Sequence, residues 1–421
     1  MEEIFISNIH INKVRHLENI DIFLSDTERK HLILTGKNGS GKTSVLLSIK
    51  NIFTSLQTNE YNNIPIYKAE IEKIKKHISN LRNELSKYGI TEHLKDEQKR
   101  QINQGLENIK NYEEILNRYN MIDINFNNEI ELPTKYKKGE FLLSFFNAKR
   151  TTELQIPTGI NKINLKEIYE VEERANKNFV QYIVNLKADR SFARDDNDEK
   201  TIKDVDEWFN KFELALREIF GDSRLKLEFD KKNYNFKIVT STKESFDFKT
   251  LSDGFSAIIE IVSELIMRME GKSSKIYDIE GIVLIDEIET HLHIDLQKKI
   301  LPFLTSFFPK IQFIVTTHSP FVLSSVDNAV IFDLEKRERV EDLSNYSVEA
   351  IIKGYFDSDK YSALLKQKIQ KYEELLNKET LTISEKDELY RLELNFEELP
   401  KFLAPELSLK INQLKLAQLA Q

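Results

Sequence analysis

The chain opens on alternation. In "IFISNIHINKV" and "NIDIFL" apolar side chains recur at every second position, the period of a strand with one buried face. "HLILTG" instead is an unbroken apolar run, which predicts a strand buried on both faces. Over 42–55 the period lengthens, with Val45, Leu46, Ile49 and Phe53 on one helical face. From Lys68 to Tyr119 the chain is charged, and its aliphatic residues are spaced apart. Ile71, Ile74, Ile78, Leu81 and Leu85 step by three and four, the a/d period of a coiled coil. "SKYGITEH" breaks the run around Gly89, and Ile102, Leu106, Ile109, Tyr112, Leu116 and Tyr119 resume it. The pattern predicts an antiparallel helical hairpin, with arms of about 20–25 residues and roughly 30–40 Å each. The reading adopted is a projecting coiled coil, over a helix pair lying flat on the globular part.

Beyond the hairpin the two periods alternate. "MIDINF" and "EFLLSFF" read as strands, and 165–187 and 202–220 as helices. "LKLEFDKKNYNFKIVT" reads as a β-hairpin turning at 231–234. A helix is expected over 253–270, a fully buried strand over 281–286, a helix over 293–306 and a second buried strand over 311–315. From about 345 onward the chain is helical and heavily charged. No internal repeat is visible.

Composition narrows the function. The net charge of −8 offers no bulk attraction to nucleic acid, so any such contact must be a local patch. "TKYKKGEF", with Lys135, Lys137 and Lys138, and "NAKRTTEL" are the basic-aromatic stretches of note. The absence of cysteine excludes disulfides and thiol chemistry. The acidic, strand-like N-terminus is not a signal peptide, and no apolar run approaches the ~18 residues that span a bilayer. A cytoplasmic location without membrane contact is the expectation.

The chain has 12 glycines, and three of them fall within "GKNGSGKT", residues 36–43. Gly36-x-x-x-x-Gly41-Lys42-Thr43 is the phosphate-loop spacing, and it lies between a buried strand and an amphipathic helix. Gly36, Gly39 and Gly41 permit the backbone angles that turn successive N–H groups towards an anion at a helix N-terminus. Lys42 would meet the β- and γ-phosphates, and the Thr43 hydroxyl would meet Mg²⁺. Asn38, Ser40 and Ser44 complete the loop and first turn that hold the nucleotide.

"GIVLIDEIETHLH" places Asp286 and Glu287 at the C-terminal end of a central strand, where open α/β sheets bind ligands. Asp286 suits Mg²⁺, and Glu287 suits the general base of a hydrolysis. A lone Asp would serve nucleotide binding; the adjacent Glu argues for turnover. His291 and His293 are read as shaping the loop that leaves the sheet, and not as a metal site with Glu289. His318, after the next buried strand, can hydrogen-bond a γ-phosphate and the attacking water. Ser319–Pro320 is expected to open a helix. In "TLSDGF", Ser252, Asp253 and Gly254 precede a helix and form a second potential γ-phosphate site. One chain needs two such sites only if the second serves a neighbouring chain.

Together these strings resemble the ATP-binding-cassette ATPases of the SMC and RecF-like branch. "GKNGSGKT" is similar to their Walker A, "LSDGF" to their signature, "IVLIDE" to Walker B and "TTHSP" to the switch-histidine region. "DEIETHLH" with "TTHSPFVL" is most similar to the overcoming-lysogenisation-defect group, whose relatives include ATPase subunits of anti-phage systems. The likeness covers 1–55 and 250–333. It departs from the pattern at Asp253, Phe255 and Ile288, and no Q-loop residue is assigned.

The resemblance implies an α/β fold: a P-loop ATPase head with a short antiparallel coiled-coil insertion and a helical C-terminal region. The core would occupy 1–66 and 121–340, the insertion 67–120, and a dimerisation or docking region 341–421. It implies ATP and Mg²⁺ as cofactors. It also implies a homodimer or higher homo-oligomer in which Ser252 and Gly254 of one copy meet the phosphate held by the other, and a contribution to the nucleotide from Arg15. The expected function is an ATP-hydrolysing subunit of a bacterial defence complex that holds or releases a separate nuclease or toxin. The alternatives are a DNA-maintenance ATPase, with nucleic acid as partner, and a nucleotide-gated scaffold with little turnover.

Overall fold

A computed structural model describes residues 3–58, 60–86, 91–150, 154–272, 278–352, 363–376, 378 and 380–397. The chain divides into two compact units, Met1–Tyr346 and Ser347–Gln421. In the first, β1 (Ile6–Val14), β2 (Leu17–Phe23) and β3 (His31–Thr35) precede α1 (Lys42–Gln57), α2 (Ile64–Leu85) and α3 (Glu92–Leu116). Next come β4 (Ile122–Phe126), α4 (Leu132–Lys137), β5 (Phe141–Phe146), α5 (Phe179–Asp195) and α6 (Glu199–Phe220). A meander of β6 (Lys226–Asp230), β7 (Asn235–Val239) and β8 (Ser245–Asp247) leads to α7 (Asp253–Glu270) and β9 (Glu280–Ile285). The unit closes with α8 (Ile294–Phe307), β10 (Ile311–Thr316), α9 (Pro320–Leu323), β11 (Ala329–Asp333) and β12 (Glu338–Glu341). The second unit holds α10 (Val348–Ala350), α11 (Ala363–Leu376) and α12 (Ile383–Glu397). Its core is a small cluster around Tyr372, Leu375 and Phe396.

The main sheet runs β12-β11-β3-β10-β9-β5. All its neighbours pair in parallel except β12, which is antiparallel to β11. β3, β5, β10 and β11 are buried at every position, which explains their predominantly apolar composition. β10 lies between the strand that leads into "GKNGSGKT" and the strand that ends at Asp286, so both candidate loops emerge at one edge of the sheet.

A second, antiparallel sheet, β2-β1-β4, packs over α1 through Ile9, Ile11, Ile22, Leu46 and Ile49. Gln312, fully buried on β10, ties the two sheets together. Its Oε1 accepts from the Ile6 amide at 2.8 Å, and its Nε2 donates to the carbonyls of Ile6 and Lys30 at 3.1 and 2.7 Å. The third sheet, β6-β7-β8, encloses an aromatic core with α5 and α6, in which the Phe179 and Trp208 rings approach Phe212 at 5.6 and 5.3 Å.

The helix expected over 165–187 begins instead at Phe179. Side chains of α7 take up the backbone groups that a helix over 165–175 would need. Glu264 accepts from the Ala175 and Asn176 amides, and Arg268 donates to the carbonyls of Glu170 and Glu173. Val171 meanwhile accepts from the Phe145 amide beside β5. The strap is thus bound tightly without periodic structure. Glu264 and Arg268 also pair with each other at 2.7 Å, which keeps both buried charges compensated.

α2 and α3 pack as the expected hairpin, with Ile71, Ile78, Leu81, Ile102, Ile109 and Leu116 buried between them. Leu106, placed on that seam by its spacing, is instead exposed. Gly105 faces the partner helix in its place, where an added Cβ would lie 3.1 Å from Ile78 and 3.2 Å from Ile74. α9, opened by Ser319 through a hydrogen bond from the Phe321 amide at 3.1 Å, lasts only four residues.

Candidate functional site

The phosphate-loop residues bridge β3 and α1. Gly36, Gly39 and Gly41 all have positive φ, at 133°, 86° and 100°. Gly41 also has no room for a side chain, since a Cβ would lie 2.8 Å from Leu17. Lys42 is buried, and its ammonium donates to the carbonyls of Gly36 and Lys37 at 2.9 and 3.1 Å. Burial lowers its pKa, while Glu287, Glu289, Asp286 and Asp333 act in the opposite sense. Arg15 occupies the turn between β1 and β2, with φ 55°, two residues before the Leu17 that abuts Gly41. Asn38 is exposed, Ser44 is half-buried, and the buried Ser40 hydroxyl crowds Gly36.

Three strand ends converge on Asp286. The Thr43 hydroxyl, opening α1 after β3, donates to its carboxylate at 3.0 and 3.2 Å. The Thr316 hydroxyl, at the end of β10, donates at 2.6 Å. The same Thr316 oxygen accepts from the Glu287 amide at 2.7 Å, so one hydroxyl fixes both acidic residues. The sequence reading overlooked Thr316; its signal was the first polar residue after a buried apolar run. Glu287 has φ 43°, and its carboxylate accepts from Thr290 at 3.1 Å.

His318 follows β10, with its amide held by the Glu289 carboxylate at 2.6 Å. Burial first, and then the charge of Lys42, lower its pKa below the usual histidine value, so the imidazole is neutral at neutral pH. A neutral ring offers one donor and one acceptor. Ile288, where the sequence departs from the pattern it resembles, donates its amide to the Thr316 carbonyl at 3.0 Å, a bond that proline could not make. Among the described residues no group of three His, Asp or Glu could hold a metal ion, and His291 shapes the exit loop at φ 68°.

Ser252 takes the N-cap position of α7 without a side-chain capping bond. Gly254 packs against that exit loop, and a Cβ there would lie 2.9 Å from the His291 carbonyl. Ser252, Gly254, His291 and His293 line a cleft of about 820 Å³, and no phosphate-loop residue is among its lining. The chain therefore gathers Lys42, Thr43, Asp286, Glu287 and His318 in one place, while Ser252 and Gly254 line a cleft beside the loop that follows Glu287. Phe255 stacks on Phe220 with ring centroids 3.9 Å apart, which gives that departure from the signature a packing role.

Each of the two basic stretches has one cation buried, while Lys137, Lys138 and Lys149 are exposed. Lys135 is buried against Glu280 at 3.0 Å, and Arg150 is buried behind Asp286 and Glu287. No described helix is long and apolar enough to cross a membrane.

Comparison with known proteins places the chain among similar sequences. The Septu protein PtuA of Bacillus mycoides (strain KBAB4) is 32% identical over 157 residues, covering 35% of this chain and 22% of its own length. The Retron Vc95 probable ATPase of Vibrio cholerae serotype O1 biovar El Tor is 24% identical over 402 residues, covering 78% of this chain and 76% of its own. An SMC head domain from Thermotoga maritima aligns over 78% of this chain and 94% of its own at 12% identity, with a TM-score of only 0.34. The family model described as "AAA domain, putative AbiEii toxin, Type IV TA system" matches residues 32–324, a span that takes in Gly36–Thr43, Asp286, Glu287 and His318. With that much of its length matched, the chain belongs to this AAA-domain family.

Proposed function

We propose that this chain is the ATP-binding and ATP-hydrolysing subunit of a bacterial anti-phage defence complex, in which two copies close around nucleotide and thereby hold or release a separate effector. The observation that carries the hydrolytic part is the convergence of Thr43 and Thr316 on Asp286, with Glu287 next in the chain. A hydroxyl and a carboxylate oxygen 3.0 Å apart form a donor set suited to Mg²⁺, which would neutralise phosphate charge when bound. Lys42, now resting on two loop carbonyls, would exchange them for phosphate oxygens. Glu287 would take the proton of a water attacking the γ-phosphorus as the bond to the bridging oxygen breaks and ADP leaves. Neutral His318 would hydrogen-bond that water or the γ-phosphate. Closure of two copies is supported by the Ser252–Gly254 cleft, whose lining includes no phosphate-loop residue of the same chain. The defence setting is supported by similarity to Septu and retron proteins.

The test is phosphate release together with solution mass by light scattering, on the wild type and Glu287→Gln. The Gln variant should lose about 10²-fold or more of turnover while still binding ATP, and should gain mass only with ATP and Mg²⁺. An unchanged mass in every nucleotide state would refute ATP-driven closure. Phosphate release by the wild type no faster than by Glu287→Gln would favour the scaffold reading. The DNA-maintenance reading is weakened by the burial of Lys135, which removes one member of its proposed basic patch.

A further inference from the structure

The Phe146 carbonyl that ends β5 accepts the Asp286 amide at 2.9 Å, so β5 runs alongside the acidic pair. Four residues later Arg150 reaches the exit of β9. The residue is 7% exposed, and its guanidinium donates to three successive carbonyls: Asp286 at 2.7 Å, Glu287 at 2.8 Å and Ile288 at 3.2 Å. Burial lowers its pKa to about 10, with Glu260, Glu289, Asp286 and Glu287 opposing that fall, so it remains cationic at neutral pH. Three carbonyl dipoles aimed at one point repel one another unless a cation receives them. The residue in the middle of that turn, Glu287, has φ 43°, a left-handed conformation unfavourable for a residue with a side chain. Such a conformation persists only where its surroundings enforce it. Thr316 holds the turn by the Glu287 amide, and Arg150 holds it by the carbonyls.

We propose that Arg150 is a positioning residue for ATP hydrolysis, clamping the Asp286–Ile288 backbone in its left-handed turn so that the Glu287 carboxylate points at the attacking water. This rests on the reading of Glu287 as general base. The planar fork of arginine reaches several carbonyls at once, whereas lysine supplies one point charge. Lysine at this position would keep the charge and lose the clamp.

The experiment compares full-length wild type, Arg150→Lys, Arg150→Met, Glu287→Gln and the double variant Arg150→Lys/Glu287→Gln. Each is measured for kcat, for affinity towards a fluorescent ATP analogue with Mg²⁺, and for melting temperature. Arg150→Lys should lower kcat by about 10- to 100-fold, with nucleotide affinity within about 3-fold of wild type. The double variant should be no slower than Glu287→Gln alone, because the clamp acts through that carboxylate. Wild-type kcat in Arg150→Lys, or losses that multiply in the double variant, would overturn the proposal. So would a loss of nucleotide affinity in step with kcat, or failure of both Arg150 variants to bind nucleotide, since either marks a merely structural role. The two readings separate cleanly. An inert Glu287→Gln beside a fully active Arg150→Lys overturns the clamp alone, whereas a fully active Glu287→Gln removes the general base and the clamp with it.

Discussion

Thr316 and His31 show how much a single side chain can depend on its surroundings. The Thr316 hydroxyl donates to Asp286 and accepts from the Glu287 amide. Valine has the same shape and neither bond. Thr316→Val should cost about 1–3 kcal/mol in stability, the penalty for leaving buried polar groups unpaired. It should also slow phosphate release by roughly tenfold, and Thr316→Ser should recover most of both losses. His31, at the start of β3, is buried, and its Nδ1 accepts from the Phe313 amide at 3.1 Å. Burial, with Arg29 nearby, lowers its pKa to about 4. Because the folded pKa lies below the unfolded value, protonation favours the unfolded chain. This contribution is complete above about pH 6.5 and is lost as the pH falls towards 4, with a span of up to about 3 kcal/mol. Wild type should therefore lose melting temperature more steeply between pH 6.5 and 4 than His31→Gln, whose amide oxygen can still accept from Phe313. Parallel curves would mean that His31 is not held neutral.

At the scale of elements, period alone located α1, the hairpin, α7 and the buried strands. It erred where a neighbour intervened. Leu106 has the spacing of a seam residue, yet Gly105 faces Ile74 and Ile78, because only a residue without Cβ allows the helices to approach there. Ile78→Ala should cost about 2–4 kcal/mol and speed amide exchange across α2 and α3. Leu106→Gln should change stability by less than about 0.5 kcal/mol. Equal effects from the two would restore Leu106 to the seam. The strap over 165–175 failed as a helix for a related reason: Glu264 and Arg268, about ninety residues away in the chain, take up its backbone groups.

For the molecule as a whole, the joint between the two sheets rests on Gln312. It satisfies the amide and carbonyl of Ile6 and the carbonyl of Lys30 from a fully buried position. Gln312→Leu preserves volume and strands those groups, which should lower stability by about 2–4 kcal/mol. The loss should appear as one earlier melting transition if β1 and β10 unfold together, and a biphasic melt would show the sheets to be independent. Nothing around position 312 in the sequence marks this role; it reads as an isolated polar residue in an apolar strand.

The features that the sequence determined by itself are local. Glycines at fixed spacing, an apolar run ending in Asp-Glu and a 3-4 aliphatic step each encode a backbone geometry within a few residues, and those patterns gave the phosphate loop, the acidic pair and the hairpin. Tertiary structure decided what joins them. That β10 would lie between β3 and β9, that Thr316 would bridge Thr43 and Glu287 through Asp286, and that Arg150 would turn inward to three carbonyls all depend on partners more than a hundred residues apart in the chain or on the order of strands in the sheet. Hydrogen-bond satisfaction in a buried sheet is a property of the assembled sheet, and no segment carries it alone.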